Sequence, residues 1–183
     1  MKYLNQRNEF DCVGWVNDVQ KYEKNIKALK CKATTTIKRS KSGETTFDIK
    51  LINAPPQYAK ALTKLATDIC SGALQWILIS YSYSVAKDDM ATESKKISQA
   101  IHSVSEELIN ILLSNGLTTF KNSIRDRVNL LTAQYELSRM TYTNNKWRRW
   151  NGDVWNGTQW INTKGETYVD DAAIYLSKIV KVI

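Results

Sequence analysis

Punctuation is what this chain lacks: its only prolines are adjacent, Pro55 and Pro56, and it has seven glycines in 183 residues. Proline and glycine end helices and make the tight turns of many-stranded β folds, so their scarcity leaves long uninterrupted stretches that favour helices. Hydrophobic residues at 43% and charged residues at 24% supply enough apolar material for a core and exclude the composition of a disordered chain. The length predicts one domain, 1–183, with three parts: a basic helix and hairpin at 1–53, a helical core at 55–140, and a Trp-rich meander with a terminal helix at 141–183.

Apolar periodicity fills in the elements. Val13, Val16, Val19, Tyr22, Ile26 and Leu29 recur at steps of three and four, which predicts a helix from Asp11 to about Leu29, with Gly14 as its weak point. Threonine-rich and β-branched runs on either side of Lys41-Ser42-Gly43 predict a β-hairpin with Lys38, Arg39 and Lys41 near its tip. The two prolines open the next helix, with Tyr58, Leu62, Leu65 and Ile69 as its buried stripe; Gly72 either ends it or lies inside one long rod. After Lys87-Asp88-Asp89, helices over about Thr92–Leu113 and Thr118–Arg139 carry the stripes Ile97, Ile101, Val104, Leu108, Ile111, Leu112 and Phe120, Ile124, Val128, Leu131, Tyr135. Ser114-Asn115-Gly116 between them predicts a C-cap and a helical hairpin. Four of the six tryptophans, Trp147, Trp150, Trp155 and Trp160, then fall close together, and WNGDV is followed directly by WNGTQ. Two Asn-Gly pairs there predict a tight β-meander. Asp170 or Asp171 would cap a C-terminal helix carrying Ile174, Tyr175, Ile179 and Val180. The expected fold is thus α+β and mainly helical: a bundle of four to five helices, an N-terminal β-hairpin and a C-terminal Trp-rich β-meander.

Charge narrows the function. The net charge is +8, and residues 1–64 hold 13 Lys/Arg against 6 Asp/Glu while residues 65–183 hold 13 against 12. Such asymmetry points to a polyanion. Lys21, Lys24, Lys27 and Lys30 recur every third residue, and Lys32, Lys38, Arg39, Lys41 and Lys50 follow. Lysines position a phosphate backbone without reading bases. Lys146-Trp147-Arg148-Arg149-Trp150 adds alternating cations and indoles, the pairing that single-stranded nucleic acid uses for stacking and phosphate contact. The candidate nucleic-acid-binding residues are therefore Lys21, Lys24, Lys27, Lys38, Arg39, Lys41, Lys146, Trp147, Arg148, Arg149 and Trp150.

Catalytic chemistry finds little support. His102 is the only histidine, with Glu106 one helical turn on, but no nucleophile motif accompanies the pair. Cys12, Cys31 and Cys70 share no close spacing, which argues against a disulfide framework and against a zinc module with His102. Phosphate loops, dinucleotide fingerprints and hydrolase or zincin motifs are absent from the sequence. No catalytic residue, cofactor or metal is expected, and the chain reads as a binding protein.

Two short resemblances remain. Tyr168-Val169-Asp170-Asp171 resembles the YVDD signature of reverse transcriptases, whose paired aspartates hold metal ions; it covers four residues, and aspartates at a helix start complement the dipole without any metal. The tryptophan and Asn-Gly repeat resembles the aromatic repeats of cell-wall-binding modules and phage tail proteins, which implies indoles that face sugars or neighbouring subunits. The leading expectation is a non-catalytic RNA- or single-stranded-DNA-binding protein. The alternatives are a structural subunit of a viral particle, such as a coat, connector or tail component in contact with homo-oligomeric neighbours, and a carbohydrate-binding module. The opening MKYLNQRNEFD lacks the apolar run of a signal peptide, so the expected location is the cytoplasm or a virion. The uncharged stretch before Lys87 is too short and too polar to span a membrane, and no membrane partner is expected.

Overall fold

The computed structural model describes residues 2–82, 90–170 and 173–179. Along the chain run α1 (Cys12–Leu29), β1 (Lys32–Arg39), β2 (Thr45–Ile52), α2 (Pro56–Ser82), α3 (Met90–Asn115) and α4 (Leu117–Arg139). The short strands β3 (Thr141–Thr143), β4 (Lys146–Arg148), β5 (Val154–Trp155), β6 (Trp160–Ile161) and β7 (Thr167–Tyr168) follow, and α5 (Ala173–Ile179) comes last. Among the described residues the fold is α+β, four long helices and one short one with an N-terminal hairpin and a five-stranded antiparallel sheet. Lys87-Asp88-Asp89, Asp171 and Val180 lie outside the described residues. Backbone contacts divide the rest into two compact units, one of residues 2–80 and 92–124, the other chiefly of residues from 125 onward, so the division falls inside α4.

In the first unit, Asp11 caps α1 by accepting the Gly14 N–H at 2.9 Å. A Cβ at Gly14 would stand 2.3 Å from that carboxylate, so the residue that looked like a weak point is what lets the cap close. The buried stripe of α1 is Trp15, Val19 and Tyr22, whereas Val13 is 72% exposed. Apolar residues at both 13 and 15 offer two phases for the stripe, and the larger side chain takes the core. Trp15 donates its Nε1–H to the Ile69 carbonyl at 3.0 Å. Its ring meets Phe10, Trp76 and Phe120 at centroid distances of 6.3, 5.3 and 5.7 Å, which ties α1, α2 and α4 together through aromatic edges and faces.

Helix α2 is one continuous rod through Gly72. A Cβ there would lie 2.5 Å from Trp15 Cδ1 and 2.7 Å from Tyr3 Cδ2, so glycine is required for the indole to pack on the helix. Tyr58, expected in the buried stripe, is half exposed, and the stripe instead follows Leu62, Ala66, Ile69, Ala73 and Ile77. The turn between α3 and α4 is closed by Gly116 at φ +88°, and the Glu23 carboxylate of α1 accepts the Leu117 N–H at 2.5 Å, capping α4 from a distant part of the sequence. The N-terminal strap is held by Lys2, which bridges Asp18 at 2.8 Å and Asp68 at 3.4 Å, and by Tyr3, whose hydroxyl donates to Asp18 at 2.7 Å.

Hairpin β1–β2 is latched to α3 by one side chain. Asn110 accepts the Thr35 N–H at 2.9 Å and donates to the Thr35 carbonyl at 3.1 Å. The free edge of β1 is satisfied there by an amide instead of another strand.

In the second unit the five strands form a simple meander, β3-β4-β5-β6-β7. Its register lines up one aromatic row: Tyr142 opposite Trp147, Trp147 opposite Trp155, Trp155 opposite Trp160, and Trp160 opposite Tyr168. Directly opposed residues share a face, so these five rings cross the whole sheet on one side. The centre of the row, Trp155 and Trp160, is buried with Ala133, Met140, Ala173 and Leu176. The second unit therefore draws its core from α4, the sheet and α5, which is why the division between units falls within α4 and not at its end.

Candidate nucleic-acid interface

The hairpin presents its cations by simple alternation. Ala33, Thr35 and Ile37 turn inward, so Lys32 and Lys38 face solvent, and pairing with Ile52 and Thr46 places Lys50 on that same outer face. The carboxylate of this face, Asp48, stands 4.0 Å from Lys38 with both side chains more than half exposed. An ion pair of that kind contributes little and yields readily to a competing anion. At the tip, the Ser40 N–H donates to Glu44 O at 2.9 Å and the Gly43 N–H to Ser40 O at 3.0 Å, with Gly43 at φ +88°.

This compact turn sets Arg39 and Lys41 across a cleft of about 460 Å³ from Gln99, His102 and Ser103 of α3. His102, considered above as a partner of Glu106, is instead half-buried in the wall of a basic cleft. Nothing in the spacing of residues 39–41 and 99–103 could have shown this; the Asn110 latch, two turns further along α3, brings the hairpin there.

The lysines of α1 do not make a single face. A step of three residues falls about 60° short of a full helical turn, so Lys21, Lys24, Lys27 and Lys30 spiral around the helix. Lys21 lines a trough beside α2, while Lys27 and Lys30 line a different cleft near the start of α4. The charge of these lysines is therefore distributed around α1, and the concentrated cations are those of the hairpin.

The sheet also divides the Lys146–Trp150 patch. Trp147 belongs to the aromatic row, half-buried beside Tyr142 at 5.1 Å and packed on the core cluster. Arg149 is not a surface cation. Its side chain is 10% exposed, its Nη2 pairs with Asp170 at 2.6 Å, its Nη1 donates to the Tyr168 hydroxyl at 3.0 Å, and its guanidinium lies 3.8 Å from the centroid of Trp160. Tyr168 in turn donates to Asp153, which is buried. Burial pushes the Tyr168 hydroxyl above its ordinary pKa, and its bond to Asp153 adds to this while Arg149 opposes it. Arg149 is thus a structural cation of the sheet, and its place among the binding residues is corrected. Lys146 and Arg148 remain outside the core, and Trp150 is 73% exposed with Arg139 stacked over its ring at 5.7 Å.

The apparent WNGDV/WNGTQ repeat is not a structural repeat. Arg149 to Asp153 form a five-residue turn that carries Trp150 outward, whereas Trp155 is a strand residue whose side chain is 2% exposed. Since Trp155 and Trp160 face the core, they cannot offer the row of exposed indoles that the sugar-binding resemblance implied. The reverse-transcriptase resemblance meets a similar obstacle, because the Asp170 carboxylate is engaged with Arg149 and the Asp170 backbone carbonyl accepts the Ala173 N–H at the start of α5. Among the described residues no group of three or more His, Cys, Asp or Glu is placed to hold a metal ion. Cys12 is exposed and Cys31 and Cys70 are buried, all as free thiols, and burial pushes the Cys70 thiol up to about 12. Among the described residues no helix is long and apolar enough to cross a membrane. Comparison with protein-family models, with curated proteins and with solved structures finds no match to this chain.

Proposed function

We propose that this chain is a non-catalytic nucleic-acid-binding protein for RNA or single-stranded DNA, with the β1–β2 hairpin as its phosphate-contacting element. The observation that carries the reading is the cleft of Arg39, Lys41 and His102 at the hairpin tip, with Lys38, Lys50 and Lys32 on the other, outer face of the same hairpin. Cations on a rigid hairpin suit backbone contact without base readout, so the expected binding is tolerant of sequence. In the second unit, exposed Trp150 with Arg139 over its ring supplies a stacking platform of the kind single strands use, and Lys146 and Arg148 lie on the adjacent strand. Fluorescence anisotropy with labelled oligouridylate, oligoadenylate and oligothymidylate tests this. Replacement of Lys38, Arg39 and Lys41 by alanine should weaken binding to all three alike; a loss confined to one sequence, or no loss, rejects the hairpin as the site.

A structural role in a particle is the second reading, favoured by apolar side chains left on the surface. In the second unit Val169 and Ile174 are 56% and 61% exposed, and in the first Val13 stands out from α1. Such residues mark subunit contacts when they cluster in an assembly. Light scattering separates the two: a monomer that binds oligonucleotide supports the first reading, and a ring or filament without nucleic acid supports the second.

A further inference from the structure

Helices α1 and α2 leave a trough between them of about 850 Å³, within the first unit and separate from the hairpin cleft. Its floor and walls come from helical steps on facing sides, Ala28 and Leu29 on α1 and Tyr58, Ala61, Leu62 and Leu65 on α2. The two alanines are small and exposed, and this keeps the trough open where larger residues would close it. Lys21 stands on one rim and Lys64 on the other. Asp68 and Lys2 close one end, but Lys2 is already committed to Asp18 and Asp68. Among the described residues Lys21 and Lys64 form no ion pair.

The trough therefore asks for two properties in one ligand. A volume within the roughly 300–1,000 Å³ of small-molecule sites, between helices, with a floor of apolar side chains and Lys2, Lys21, Asn25, Lys64 and Asp68 around it, fits a compact apolar body that carries a polar head. Lys64 on one rim and Lys21 on the other, the latter close enough for its charge to act on Asp18 but not in ion-pair contact with it, fit an anionic head. A nucleic acid would leave the leucines in contact with charge and would find one aromatic ring, Tyr58, to stack on. We propose that this trough binds a single-chain anionic amphiphile, a free fatty-acid-type carboxylate, with its acyl chain along Leu29, Leu62 and Leu65 and its carboxylate between Lys21 and Lys64. The site does not depend on nucleic-acid binding and shares no side chain with the hairpin cleft.

The test is isothermal titration calorimetry of the full chain with dodecanoate below its micelle concentration, and with dodecyltrimethylammonium, which has the same tail and the opposite charge. Dodecanoate should saturate at one per chain and bind at least about tenfold more tightly than the cation, the scale expected for two partly solvated charge contacts. Ala61→Trp, at an exposed helical position, should fill the trough and abolish binding, and the double variant Lys21→Glu and Lys64→Glu should reverse the preference between the two amphiphiles. The alanine variant of Lys38, Arg39 and Lys41 should bind dodecanoate as the parent does, which separates this site from the hairpin. Should Ala61→Trp fail to fold, the charge-reversal pair decides the matter. Dodecanoate binding that persists in folded Ala61→Trp, a preference unchanged by charge reversal, or binding to phosphatidylglycerol vesicles with none to free dodecanoate would overturn the proposal.

Discussion

Asn110 gives the account its most quantitative handle, because one side chain satisfies both backbone groups of Thr35 across 75 residues of sequence. Asn110→Leu keeps the number of side-chain heavy atoms and the branch at Cγ and removes both bonds. Each intramolecular hydrogen bond has a net value of about 0.5–1.5 kcal/mol, so the pair should cost about 1–3 kcal/mol. Thr35 is 4% exposed, which places the loss toward the upper end, since its N–H and carbonyl would have no ready access to water. Asn110→Asp refines the test: its carboxylate can still accept the Thr35 N–H but cannot donate to the Thr35 carbonyl, so it should be destabilising as well. Urea unfolding followed by circular dichroism gives the free-energy change, and hydrogen exchange of the Thr35 amide reports the latch itself. A stability within about 0.5 kcal/mol of the parent, as for an ordinary surface substitution, together with unchanged Thr35 protection would refute the reasoning.

The tryptophans should separate folding from binding: Trp155→Ala should cost about 3–5 kcal/mol of stability, whereas Trp150→Ala should leave the melting temperature nearly unchanged and cost about 1–3 kcal/mol of single-strand binding. Gly72→Ala gains about 1 kcal/mol of helix propensity but forces a methyl against fully buried Trp15, an overpacking cost of about 1–3 kcal/mol, so thermal unfolding should show a net loss; a stabilised variant would show that the indole can move. Burial pushes the Asp18 carboxyl up, but hydrogen bonds from Lys2 and Tyr3 and the charges of Lys2 and Lys21 outweigh it and hold the group below its ordinary value of 3.8. Its contribution is therefore present above that value and lost as pH falls through the folded one, so Asp18→Asn should be less stable than the parent at neutral pH and converge with it in acid.

Much of the fold was legible because its signals are local. The stripe Phe120, Ile124, Val128, Leu131 and Tyr135 of α4 is buried throughout, and Gly116 closes the helical hairpin where the Asn-Gly pair placed it. The β1–β2 hairpin follows from β-branched runs around a polar turn. What the sequence hid is of two kinds. Periodicity was ambiguous where two phases competed, as with Val13 and Trp15, or where a three-residue lysine spacing imitated a face while drifting around the helix. Identity of residues also concealed difference of place: the two WNG triplets read alike, but one lies in a turn and the other starts on a strand. Arg149, in a run of cations and indoles that ends on exposed Trp150, gave no sign that Asp170 and Trp160 would enclose it. Long-range contacts such as Asn110 with Thr35, or His102 beside the hairpin tip, carry no local signature and come only with the tertiary structure.

The central claim, that the hairpin tip holds a phosphate backbone, is tested most directly by the salt dependence of oligonucleotide binding in the parent and in the variant with Lys38, Arg39 and Lys41 replaced by alanine. Each lost contact with a single strand should reduce the log–log slope by about 0.7, so three should flatten it by about 2 units, with the same change on every sequence tried. Parallel slopes for the two proteins would contradict the account and remove the hairpin from the interface.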